Sequence, residues 1–170
     1  LLPVVLRSSQ DWFKYLVGAV SVTFVSALIG LAQLGGGFSL IPAQGTRISG
    51  TIGNAAFFAA VMLFGIFLSW YLLRETKSKG VRRYSWLVIL VELYTVYQSQ
   101  TRGAIVALGI VLLLYTLFNI VKGETKRIRL WSLAATILIG LAIMGIYLGK
   151  DSSIVKSQPT LRRLATMSIN

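Results

Sequence analysis

Three charged side chains stand out because the residues around them are largely apolar or small: Arg47, Glu92 and Arg102. Arg47 lies in the segment 35–53, which holds Gly35, Gly36, Gly37, Pro42, Gly45, Gly50 and Gly53 and so has turn chemistry. An apolar run opens just after it, with Thr51 and Asn54 as N-cap candidates. A helix N-terminus beside an arginine suits an anion, because free N–H groups, a favourable dipole and a planar two-pronged donor converge there. The plainer alternative is an arginine that anchors its loop among lipid headgroups.

Arg102 belongs to the short stretch Gln98-Ser99-Gln100-Thr101-Arg102-Gly103, a tight connection between two apolar runs. If the preceding helix continues to Arg102, steps of about 100° per residue place Glu92, Thr95, Ser99 and Arg102 within one wedge of about 80°. Glu92 and Arg102 are then separated by about 15 Å of helical rise and do not pair directly. Glu92 is an ionisable group in mid-run, which points either to function or to a structural hydrogen bond with a neighbouring helix.

Other chemistries are closed to these residues. The chain has no Cys and no His, so it offers no disulfide, thiolate, imidazole base or imidazole metal ligand. Its five carboxylates are scattered, which argues against a carboxylate-rich metal cage.

The elements that must position these residues follow from composition. The chain has 170 residues, of which 55% are hydrophobic and only 13% charged, about half the charged fraction usual in soluble domains. The apolar residues come in long blocks separated by basic clusters, which excludes an ordinary soluble domain and also disorder. The net charge of +12 therefore reads as a topology signal of a membrane protein, not as a nucleic-acid interface. A bilayer core needs roughly 20 apolar residues per helix. Five blocks are expected to cross: 15–34, 54–73, 84–98, 104–121 and 130–149, the third being short and carrying Glu92. The expected fold is an all-α polytopic bundle forming a single membrane domain, and 150–170 begins an extracytoplasmic segment.

The positive-inside rule orients this bundle. Arg7 and Lys14 precede the first block; Arg74, Lys77, Lys79, Arg82 and Arg83 follow the second; Lys122, Lys126, Arg127 and Arg129 follow the fourth. All fall on one side, which is then cytoplasmic. Arg47, Arg102, Lys150, Lys156, Arg162 and Arg163 fall on the other. Trp12, Trp70, Trp86 and Trp131 lie near the cytoplasmic ends, as an aromatic belt requires. Gly18, Ala19, Ser21, Ser26, Ala27 and Gly30 suggest close helix packing along the first block. Residues 160–167 read as a short helix lying on headgroups. The first six residues read as the end of an earlier span, and the chain is expected to be a piece of a larger polytopic protein.

Arg47, then Gly50-Thr51-Ile52-Gly53-Asn54 opening a span, then Gln100-Thr101-Arg102-Gly103-Ala104 after a basic loop and a further span, form an ordered set of motifs. Gln33 ends the first span before the Gly-rich turn. This order resembles the O-antigen ligase/polymerase superfamily of bacterial membrane proteins, which carry an R…G-T-x-G-N opening and an (S/T)-R-G turn. The resemblance covers about the whole chain.

It implies a metal-independent, inverting glycosyltransferase without cofactor, multi-pass in the bacterial cytoplasmic membrane and concerned with lipopolysaccharide or other polysaccharide. Such enzymes move a glycan from an undecaprenyl-diphosphate carrier to a lipid or glycan acceptor at the outer face. The implied partners are the lipid-linked oligosaccharide donor, that acceptor and membrane lipids, with no nucleic acid. Carried over by motif, Arg47 and Arg102 become diphosphate contacts, with Asn54, Glu92, Ser99 and Thr101 as supporting residues. Two departures stand out: Ala55 and Ala56 replace the Pro and Asn of many relatives, and the family's extracytoplasmic His has no counterpart. No catalytic group is therefore identified, and this His-free stretch alone is expected to be inactive. A polymerase of the same superfamily, a transporter using Glu92, and a non-catalytic membrane subunit are the competing readings.

Overall fold

The computed structural model describes residues 8–35 and 47–149, together with 152, 155 and 157–165. Among them the chain is all-helical: α1 (Ser9–Leu34), α2 (Ala55–Glu75), α3 (Lys79–Gln98), α4 (Arg102–Lys122), α5 (Lys126–Leu148) and the short α6 (Pro159–Ala165). The helices divide into two compact units, Leu1–Thr101 and Arg102–Asn170.

Helices α1 and α5 start where caps permit, several residues before their apolar blocks do. At α1, Ser8 and Asp11 form a reciprocal capping box: Asp11 N–H donates to Ser8 Oγ and Ser8 N–H to Asp11 Oδ2, both at 3.1 Å. This carries the helix through the polar turn ahead of the apolar block. At α5 the Thr125 hydroxyl accepts from Ile128 N–H at 3.2 Å, so the helix begins at Lys126. Asn54, not Thr51, caps α2: its Oδ1 accepts from Ala56 N–H (2.9 Å) and Phe57 N–H (3.3 Å). Asn54→Ala removes that acceptor from a solvent-facing position, and a loss of about 1 kcal/mol in a detergent-based unfolding titration is the expected result.

In the first unit α1, α2 and α3 run alternately up and down. At the end where α1 starts, Val20, Leu72 and Val88 are fully buried, with Phe24 and Tyr84 packed on them edge to face at 5.8 Å. At the other end the Phe58 ring fills the space left by Gly30 and Gly50; a Cβ on either glycine would collide with it. Gly50 also holds φ +55°, so glycine is doubly required there. Tyr84 OH donates to Ser21 Oγ at 3.0 Å, linking α3 to α1. Ser26, Ala27 and Gly30 are buried as the small-residue stripe predicts, whereas Gly18 has open space around it.

The second unit is an antiparallel hairpin of α4 and α5, with α6 against it. Thr136 donates to Thr116 across the hairpin at 2.8 Å, and Arg129 Nε closes the turn onto the Gly123 carbonyl at 2.9 Å. In α6 Leu161, Leu164 and Ala165 are half-buried, which agrees with a short amphipathic helix.

Among the described residues four helical segments are long and apolar enough to cross a membrane: Ser9–Leu34, Ala55–Glu75, Arg102–Lys122 and Lys126–Gly145. The expected fifth span, 84–98, does not qualify. It is part of a 20-residue helix, α3, but Lys79, Arg82 and Arg83 occupy its first turns and Ser85, Glu92 and Thr95 interrupt its apolar residues. Those last three face inward with Val88, Ile89 and Val96, while Trp86, Leu87, Leu90 and Tyr94 face outward. Polar groups inside and large apolar ones outside is the reverse of a soluble domain, and it is the arrangement that a lipid surround favours.

Candidate functional site

Of the candidate residues, Arg47, Ser99 and Thr101 converge at the end of the first unit where α1 stops, α2 starts and α3 stops. Gln33, in the last turn of α1, is buried and binds the backbone ahead of α2 with both ends of its amide. Its Oε1 accepts from Ser49 N–H (2.8 Å) and Gly50 N–H (3.0 Å), and its Nε2 donates to the Gly50 carbonyl (3.2 Å). Two turns earlier Ser26 and Thr51 share a hydroxyl–hydroxyl bond of 2.8 Å. The segment before α2 is thus stitched to α1 at two levels, and Arg47 belongs to this segment.

Arg47 is half-buried and reaches the opposite wall. Its Nε donates to the Ser99 carbonyl at 3.0 Å and its Nη2 to Thr101 Oγ1 at 3.1 Å. Thr101 Oγ1 in turn donates to the Ala55 carbonyl at 3.1 Å, in the first turn of α2. The guanidinium plane is therefore set by the α3 C-terminus and the α2 N-terminus together. Ser99 is the C-cap of α3, its N–H on Thr95 O at 2.8 Å and its hydroxyl on Val96 O at 2.7 Å. These local bonds end the helix, and Gln100 then turns away with φ +52°, a left-handed conformation uncommon outside glycine.

That turn corrects the expectation of one continuous polar wedge. The helix stops at Gln98, so Arg102 leaves the stripe and becomes the exposed first residue of α4 in the second unit. Ser99 and Thr101 serve Arg47. Asn54 sits beside this cluster in sequence and caps α2.

Glu92, Thr95 and Ser99 do share the buried face of α3, joined by Ser85. Glu92 is fully buried, and neither carboxyl oxygen has a hydrogen-bond partner among the described residues. Thr23 on α1 is a polar neighbour, but its hydroxyl donates to the Val20 carbonyl at 3.0 Å, and Thr95 Oγ1 donates to the Glu92 carbonyl at 2.8 Å. The carboxyl lies against Gly65 of α2, in the space that a side chain there would occupy. Glu92 precedes Ser99 by seven positions, about 10 Å of rise, so it stands apart from Arg47 along the bundle.

Among the described residues no group of three or more acidic side chains could hold a metal ion. The cluster can orient a guanidinium at the mouth of a helical bundle, next to a capped helix N-terminus. Residues 36–46, Lys150, Asp151 and Lys156 lie outside the described residues, as do Arg7 and residues 1–6, expected to end an earlier span. Gly65 is the residue that sequence reasoning missed; a lone glycine inside a long apolar helix was the available signal. No family model, curated protein or solved structure matches the chain. Fold and site together describe a helical protein of membrane type with a fixed arginine at one end of its first unit.

Proposed function

We propose that the chain is part of a bacterial membrane glycosyltransferase, similar to the O-antigen ligases, which transfers a glycan from an undecaprenyl-diphosphate carrier to an acceptor at the outer face of the cytoplasmic membrane. The observation that carries this reading is Arg47, held by Ser99 and Thr101 beside the start of α2. As the bond from sugar to diphosphate breaks, negative charge gathers on the leaving diphosphate. A guanidinium already oriented stabilises that charge without a cost in reorganisation. Arg102 enters as the second diphosphate contact through the Gln100-Thr101-Arg102-Gly103 motif. The topology supports the same side: Lys14, Arg74, Lys77, Lys79, Arg82 and Arg83 collect at the opposite end of the first unit, with Trp12, Trp70 and Trp86.

The test is glycan transfer by the native protein in membranes, with a lipid-diphosphate-linked donor. Lysine keeps the charge of arginine and loses its fork. Arg47→Lys and Arg102→Lys are each expected to depress transfer by about tenfold or more at unchanged abundance. Full transfer by both variants would overturn the diphosphate assignment. Varying the acceptor separates ligase from polymerase.

The buried Glu92 favours one second reading, a transporter in which this carboxyl couples to a cation. There Glu92→Gln abolishes function and the arginine variants are tolerated. If all three variants change abundance alone, the chain is a non-catalytic subunit.

A further inference from the structure

The α4–α5 hairpin holds a groove of about 350 Å³ near its connecting turn. Thr116 and Ser132 are buried at its floor; Tyr115 and Trp131 form its walls; Asn119 and Arg127 stand at its mouth. The surrounding turn carries Lys122, Lys126 and Arg129 against the single acid Glu124. Arg127 makes no hydrogen bond among the described residues, and the Asn119 amide uses one N–H on the Tyr115 carbonyl at 2.9 Å.

We propose that this groove binds the phosphodiester headgroup of an anionic membrane phospholipid. Three features select a lipid. The cations lie at the end of two helices that are apolar enough to cross a bilayer, which is headgroup level. Trp131 is 68% exposed beside Arg127, an amphipathic ring placed where headgroup meets acyl chain. From the groove an exposed apolar track leads along both helices, through Leu112 on α4 and Leu138 on α5. Leu138 is eleven positions beyond Arg127, about 16 Å of rise, a length that suits an acyl chain lying on the hairpin. The phosphate takes Arg127 and Asn119 as donors; the chain covers Tyr115, Trp131 and the leucines.

The experiment uses the full chain with Trp12→Phe, Trp70→Phe and Trp86→Phe, so that Trp131 alone fluoresces. It is reconstituted in phosphatidylcholine vesicles containing a varied small fraction of acyl-brominated lipid. Brominated phosphatidylglycerol is expected to reach half-maximal quenching at about fivefold lower fraction than brominated phosphatidylcholine. Arg127→Gln removes that preference, Arg127→Lys retains part of it, and Lys122→Gln, outside the groove, leaves it intact. Equal quenching by the two lipids, or a preference that survives Arg127→Gln, overturns the proposal. An equal loss in Lys122→Gln overturns it in favour of diffuse attraction by the basic turn. Displacement of the lipid by inorganic phosphate in the buffer overturns it in favour of a free-phosphate site.

Discussion

Gly65→Ala is expected to destabilise the first unit by about 3 kcal/mol, at the upper end of what overpacking a core costs. The added methyl would occupy the space of both Glu92 carboxyl oxygens. Glu92 is fully buried, so its carboxyl can yield only into the surrounding packing. Glu92→Ala has the opposite character. It deletes a buried carboxyl that has no hydrogen-bond partner among the described residues, and it leaves a cavity. The two effects offset, and the net change is expected within about 1 kcal/mol. The double variant should then recover most of the Gly65→Ala loss, a coupling of about 2 kcal/mol between residues in contact. Detergent-based unfolding of the four proteins measures the cycle. Additive losses in the double variant would show that the carboxyl does not occupy the Gly65 notch.

Gln33→Leu is expected to cost about 4 kcal/mol, because one side chain satisfies three buried backbone groups. Ser49 N–H, Gly50 N–H and the Gly50 carbonyl all bond to its amide, and each orphaned group costs about 1–3 kcal/mol. Leucine has a similar volume, so the loss reports hydrogen bonding and not packing. The consequence reaches Arg47, which belongs to the same backbone segment. Hydrogen exchange at Ser49 and Gly50 should accelerate in Gln33→Leu while exchange in the α4–α5 hairpin stays unchanged. Slow exchange at both amides in the variant would remove Gln33 from the support of the site. Gln33→Glu sharpens the comparison: it keeps the acceptor for the two N–H groups and loses the donor to Gly50 O.

How much of this was legible in the residues depends on the range of the interaction involved. The caps at Asn54 and Thr125 are contacts within four residues, and residue type in order narrowed the α2 cap to Thr51 and Asn54. The apolar blocks were legible because span length and composition are properties of a single segment. Block edges misplaced the helix starts, since Ser8 and Thr125 extend helices through polar turns that hydropathy excludes. The third block is not confirmed as a span for a related reason. Its polar residues are tolerated by burial against α2, and hydropathy along one helix contains no information about what covers it.

Arg47 and Arg102 were picked from motif and context, and their membership of two different units was not foreseeable from spacing. Extending α3 to Arg102 is the natural reading of periodicity, and it fails at Ser99 and Gln100, where side-chain-to-backbone bonds and a left-handed residue end the helix.

The sequence by itself determined the all-helical class, the approximate apolar segments, the basic end of the first unit and the two candidate caps of α2. Each of these is decided by neighbours in the chain, through backbone hydrogen bonding within a helix and transfer of that helix out of water. Only the tertiary structure decided that Arg47 is held by Ser99 and Thr101, that Gln33 stitches the segment before α2, and that Glu92 rests against Gly65. Those partners are separated by 16 to 54 positions in the bonded cases. Bringing them together depends on how three helices rotate and pair. Packing of side-chain volumes across helices sets that, and no periodicity within one helix encodes it.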